Sequence, residues 1–229
     1  MRHEINALAE IANWQFGKTG DEVAALAEHI RAHPVEGSPA QMRRAFAALI
    51  GPGPAGRRRT LGGVPCVSHG AGPPVLWFHG GGYVFGSPET HARAAAWLAR
   101  MAGVEMILPD YRLAPEHIWP APLADAQRVL EACPSPPAVV GDSAGGHLAL
   151  TLALKNPGRI ASLALISPNT DRSGQSRTRA SHSDCDLMNS DHDDARLAAM
   201  AMPECDPHGA TASPLLADLS DLPPTFVTA

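Results

Sequence analysis

Ala138-Val139-Val140-Gly141-Asp142-Ser143-Ala144-Gly145-Gly146 is the stretch on which the fold of this 229-residue chain turns. Ala138 to Val140 is a short apolar run that reads as a buried strand, and Ala144 to Lys155, stopped by Asn156-Pro157-Gly158, reads as a helix. Between them Gly141 to Gly145 has the form Gly-x-Ser-x-Gly, a strained strand-to-helix turn that lifts the serine hydroxyl clear of the backbone. Gly141 and Gly145 stand where a side chain would collide with the neighbouring strand or helix. The helix start beyond presents N–H groups that no intrahelical carbonyl can use. Ser143 is therefore a candidate nucleophile and the Ala144 N–H a candidate oxyanion donor.

Upstream, a second apolar run, Val75 to Phe78, ends in His79-Gly80-Gly81-Gly82. Without Cβ atoms, this run lets backbone amides approach a reacting oxygen closely, which makes Gly81 and Gly82 the other candidate donors. Each motif alone is common: Gly-x-Ser-x-Gly arises by chance and glycine triplets are ordinary loops. Their order along the chain is far more specific, because strand, glycine run, helix, strand, helix, strand, Gly-x-Ser-x-Gly and helix follow in turn.

That alternation extends outward. Ser87-Pro88 starts a helix to about Met101, Val104 to Leu108 is a strand, Pro122 to Ala132 a helix, and Leu163 to Ile166 a further strand. Apolar strands separated by helices predict an α/β fold with a mostly parallel sheet, helices on both faces, and the ligand site at the carboxyl ends of the strands. Before the linker Gly51 to Gly56, residues 1–50 read as three amphipathic helices of a cap. Ile5, Leu8, Ile11 and Ala12 mark the first, and Val23, Leu26, Ala27 and Ile30 the second, after Thr19-Gly20-Asp21-Glu22, which has the capping-box form. Met42, Phe46, Leu49 and Ile50 mark the third, with Ser38 as N-cap, Pro39 in the first turn and Gly51 as terminator. Residues 57–229 read as the core, interrupted at about 168–210 by a polar insertion with one helical patch, Ala195 to Met202. Thr225 to Ala229 begins a last strand.

Composition narrows the function. With 45% hydrophobic residues the chain can bury a sizeable core, and a net charge of −5 argues against a nucleic-acid partner. Arg57 to Arg59 reads as a solvated strand start. No apolar run reaches the length of a membrane span, and Met1 to Glu10 lacks the apolar stretch of a signal peptide, so a cytoplasmic location is expected. Cys66, Cys133, Cys185 and Cys205 are scattered and read as reduced thiols. Cys185, His192, Cys205 and His208 do not follow the usual zinc spacings, so neither a metal nor another cofactor is expected. Homo-oligomerisation is left open.

Three segments carry a family resemblance: His79 to Ser87, Asp110-Tyr111-Arg112-Leu113-Ala114-Pro115-Glu116-His117, and Gly141 to Gly146. Together they resemble the hormone-sensitive-lipase family of α/β-hydrolase esterases over roughly residue 57 onward. The resemblance implies a serine carboxylesterase or lipase acting on small-molecule esters of short to medium acyl chains. It makes Ser143 the nucleophile, Gly81, Gly82 and Ala144 the oxyanion donors, and His79, Gly80 and Asp142 the supporting motif. His79 would organise the glycine loop without serving as base, and Arg112 and Glu116 would pair in a structural turn beneath the site. In the family the triad acid follows a strand such as Thr225 to Thr228, and the base comes later. Neither segment lies within residues 1–229, so both are expected beyond Ala229 and the chain reads as C-terminally shortened, its last strands and helix missing. Internal substitutes, Asp171 with His182, His192 or His208, are the weaker reading, and His147 reads as a helix-packing residue. A non-catalytic binding protein on the same scaffold is the alternative.

Overall fold

The computed structural model describes residues 20–176, 183, 186–188 and 190–228. The helix expected around Ile5 to Ala12 lies outside them, as do His182 and Cys185. The described chain opens with α1 (Gly20–Ala32) and α2 (Pro39–Ile50). Gln41 closes the capping box on Ser38, and Gly51, at φ 71°, ends α2 with its N–H on the Ala47 carbonyl. Met42, Phe46 and Leu49, three of the four residues that mark this helix in sequence, are its buried side chains.

A seven-stranded sheet follows, made of β1 (Arg57–Leu61), β2 (Val64–Gly70), β3 (Pro74–Phe78), β4 (Glu105–Pro109), β5 (Ala138–Asp142), β6 (Ser162–Ile166) and β7 (Thr225–Thr228). Its order is β1-β2-β4-β3-β5-β6-β7. From β4 to β7 every pairing is parallel, as the apolar runs predict. β1 and β2 instead form an antiparallel hairpin that joins β4 antiparallel. Sequence reading finds only the exposed start of this hairpin, since β2 mixes Pro65, Ser68 and His69 with its apolar residues and shows neither clean alternation nor a continuous apolar run.

The sheet buries both faces, and the two-residue period of a strand sorts the side chains. Val75, Trp77, Met106 and Leu108 meet Ala95 and Ala99 of α3 (Pro88–Ala102) on one face. Leu76, Phe78, Ile107, Val139 and Leu163 join the larger core on the other, beneath α4 (Ala121–Glu131) and α5 (Ala144–Lys155). Between β6 and β7 the polar insertion contains α6 (Asp191–Ala201). It starts four residues before the apolar pattern suggests, because Ser190 caps it through the Asp193 N–H and three aspartates occupy its first turn.

Candidate active site

Ser143 sits between β5 and α5 with φ 52° and ψ −118°, a backbone state that side chains disfavour and that costs about 1–3 kcal/mol. Neighbours hold it there. Its N–H donates to the Ile166 carbonyl at 3.0 Å, and its own carbonyl accepts from His147 N at 3.0 Å and Asn169 N at 3.1 Å. The close approach behind the turn is real, since a Cβ on Gly145 would lie 2.0 Å from the Phe78 carbonyl oxygen. The glycine run lies alongside: a Cβ on Gly80 would stand 3.2 Å from Ser143 Cβ. Among the described residues no hydrogen bond uses the N–H groups of Gly81, Gly82 or Ala144.

Asp142 ties the two motifs together. One carboxylate oxygen accepts from Trp77 Nε1 at 2.8 Å, and the other from the Gly80 N–H at 3.0 Å and His91 Nε2 at 3.2 Å. Burial alone would raise this carboxyl, but hydrogen bonding and charge from His91, with the Trp77 donor, outweigh it and hold the group below its ordinary range. His79 is fully buried and stacks on Tyr111 with ring centroids 4.3 Å apart. Its Nδ1 donates to the Gly80 carbonyl at 2.8 Å, and the Tyr111 hydroxyl donates to the His79 carbonyl. Burial, then the charge of His91, push the His79 imidazole down to about 3, so it is neutral at pH 7. His79 thus hydrogen-bonds the first glycine of the loop.

No described histidine or carboxylate hydrogen-bonds Ser143 Oγ. Asp171 turns its own chain, accepting from Ser173 N and Oγ. His192 and His208 are exposed, and His147 Nε2 faces the Thr211 carbonyl. Cys205, His192 and His208 do not converge with other acidic or thiol groups on a shared point among the described residues. The pairing expected of Arg112 and Glu116 is a correction. Arg112 forks onto buried Asp125, which also takes Arg128, whereas Glu116 reaches up to Arg43 of α2 at 2.6 Å. A carboxylate one helical turn into α4 meets the guanidinium more squarely than one four residues along the same turn. Arg43 also donates to the carbonyls of Val84 and Ala114, binding α2 to the glycine loop.

Residues 75–229 match the family model described as alpha/beta hydrolase fold. The chain belongs to the α/β-hydrolase family. The hydrolase resembles the crystal structure of an esterase from the bacterial hormone-sensitive lipase family, with 30% identity and a TM-score of 0.82 over 92% of this chain and 78% of that one. A hormone-sensitive lipase from a metagenome library gives 29% identity and a TM-score of 0.81 over 90% and 76%. Among curated relatives, an acetyl-hydrolase of Streptomyces hygroscopicus is 32% identical over 68% of this chain and 56% of its own length. The carboxylic ester hydrolase LipN of Mycobacterium tuberculosis is 31% identical over 93% of this chain and 63% of its own length. The chain thus spans 56% and 63% of the lengths of these two curated relatives.

The sequence reading gives no individual role to several residues around this site. His91 in α3, Tyr83 in the glycine loop and Asn169 in the loop after β6 touch Asp142, His147 and Ser143, and no local spacing announces these contacts. Asn169 also donates through its amide to Asp194 of α6, whose carboxylate pairs with buried Arg172. Among the described residues no helix is long and apolar enough to cross a membrane.

Proposed function

We propose that this hydrolase carries the nucleophile and oxyanion hole of a carboxylic-ester hydrolase for short to medium acyl esters. Ser143 Oγ attacks the ester carbonyl while its proton passes to a base and then to the departing alcohol. Gly81, Gly82 and Ala144 N–H groups hold the tetrahedral oxyanion. Water then attacks the acyl-enzyme, releasing the carboxylic acid and returning the proton to Ser143. The observation that carries this reading is the strained elbow at Ser143 lying directly against the glycine run, with three N–H donors unspent.

The base and its acid come from outside the described residues in this proposal, because nothing described reaches Ser143 Oγ. Residues 1–50 act as cap helices over a core of 57–229, with the insertion at about 168–210 completing the cap. A small crevice between α1, α2 and α6 has Phe85 and Leu197 in its wall, with Arg31, Glu36, Asp193 and Arg196 making it a polar rather than a greasy cleft. Leu197 is in contact distance of the Gly82 backbone, where an added Cβ would meet it at 2.6 Å, so the crevice adjoins the oxyanion loop.

The competing reading is a non-catalytic binding protein on this scaffold, favoured by the absence of a described base. A fluorophosphonate probe separates the two, since Oγ–P formation expels fluoride and leaves the serine covalently labelled. Labelling of the wild-type chain that Ser143→Ala abolishes is expected, as is ester hydrolysis on co-expression with a family C-terminal segment bearing the acid and base. Hydrolysis undiminished in Ser143→Ala would overturn the proposal. Silence of both chains toward probe and ester would favour the binding protein.

A further inference from the structure

Tyr83 follows directly on Gly82, and it is one of three non-glycine residues with positive φ among the described residues, at 63°. Gly81 and Gly82 precede it at φ 117° and 59°, so the donors sit on a run of left-handed backbone that ends in a side-chain residue disfavouring that state. Something must hold it. The Tyr83 ring is buried against Trp119 and Tyr111, and its hydroxyl lies 2.6 Å from His147 Nδ1. His147 Nε2 lies 2.9 Å from the Thr211 carbonyl, which can only accept. Nε2 therefore carries the proton and Nδ1 accepts from Tyr83. His147 stands one helical turn after Ser143, and its N–H donates to the Ser143 carbonyl.

We propose that the Tyr83–His147 hydrogen bond registers the oxyanion loop against the nucleophile, making both side chains positioning residues. The proposal rests on Ser143 as nucleophile and the glycine run as oxyanion hole. It assigns a task to the hydroxyl beyond the ring's packing, since the loop's other ties reach Gly80 from Asp142 and His79, the Tyr83 carbonyl from Ala114 N and the Val84 carbonyl from Arg43, and none of them fixes the Tyr83 side chain.

The test compares Tyr83→Phe, His147→Leu and His147→Asn with wild type by hydrogen exchange and by fluorophosphonate labelling. Tyr83→Phe keeps the ring, and His147→Asn keeps an acceptor near the position of Nδ1. In Tyr83→Phe, exchange of residues 80–85 should rise about five- to tenfold while residues 105–109 of β4 stay protected. The maximal labelling rate should fall by a similar factor, with the half-saturating probe concentration unchanged. His147→Leu should behave like Tyr83→Phe, and His147→Asn should restore loop protection. Wild-type exchange in Tyr83→Phe, or loosening spread equally into β4, overturns the proposal, and the exchange arm decides even where labelling is slow or His147→Leu does not fold. Labelling that survives in Ser143→Ala would instead fault the underlying nucleophile assignment.

Discussion

Two imidazoles, those of His79 and His147, are buried and uncharged close to the turn at Ser143. Burial first, then the Arg172 charge, bring His147 down to about 4, against a partial lift from its Thr211 hydrogen bond; His79 falls to about 3. The unfolded chain binds these protons near pH 6.5 and the folded chain does not, so stability is full above about 6.5 and declines as pH falls toward 4. Between pH 7.5 and 5 each imidazole should remove about 2 kcal/mol of stability. Urea unfolding at the two pH values checks this, and His147→Asn should shrink the difference by about 2 kcal/mol. Asp142 acts in a lower window. Its depressed carboxyl contributes stability above the ordinary carboxylate range and loses it as pH falls through the folded value, so Asp142→Asn should lessen the acid loss below about pH 4. At neutral pH the same variant should cost about 1–3 kcal/mol, because an amide cannot accept all three donors that converge there. The residue types at positions 79, 142 and 143 were readable as one motif set. Their protonation was not, because it depends on His91, Arg172 and the depth of burial, which come from distant parts of the chain.

Among elements, β7 is exposed along its length and α6 buries few of its residues. α6 has only Asp194, Leu197 and Ala201 buried, and its start relies on the Ser190 side chain. Ser190→Ala should lower stability by about 1 kcal/mol, read as a shift in urea midpoint at constant slope. β7 pairs only with β6 among the described residues, and Phe226 and Val227 are 65% and 56% exposed. Such an edge invites strand pairing between molecules. Val227→Lys should reduce concentration-dependent light scattering of the isolated chain while shifting stability by no more than about 0.5 kcal/mol. Helices α2 and α3 are legible because propensity, capping and period agree along each of them, β7 through its β-branched and aromatic run, and α5 through its apolar run between the serine turn and Asn156-Pro157-Gly158. β2 is not legible, because its antiparallel place at the sheet margin rests on pairing with β4 from 35 or more residues away along the chain.

At the scale of the molecule, one arginine and the Phe46 ring tie α2 to the surroundings of the site. Arg43 spans from α2 to the Val84 and Ala114 carbonyls and to Glu116, so α2, the glycine loop and the 110–117 turn share one guanidinium. The exposed Glu116 arm contributes little, because solvent screens it. The carbonyl contacts carry more, and Arg43→Met should cost about 1–3 kcal/mol. Limited proteolysis in the linker 51–56 should accelerate in that variant, with the β-sheet fragment surviving.

The sequence by itself determined the α/β alternation, the parallel strands, the elbow at Ser143 and the glycine run at 80–82, since each is written in local periodicity and in glycines required by close backbone approach. Only the tertiary structure decided which partners the charged and aromatic side chains take: Arg112 with Asp125, Glu116 with Arg43, Tyr83 with His147, His91 with Asp142. The physical reason is reach. Backbone geometry is settled by neighbours a few residues apart, whereas a guanidinium or imidazole pairs with whatever the packed sheet brings within 3 Å or so, and that depends on the register of elements far apart in the chain.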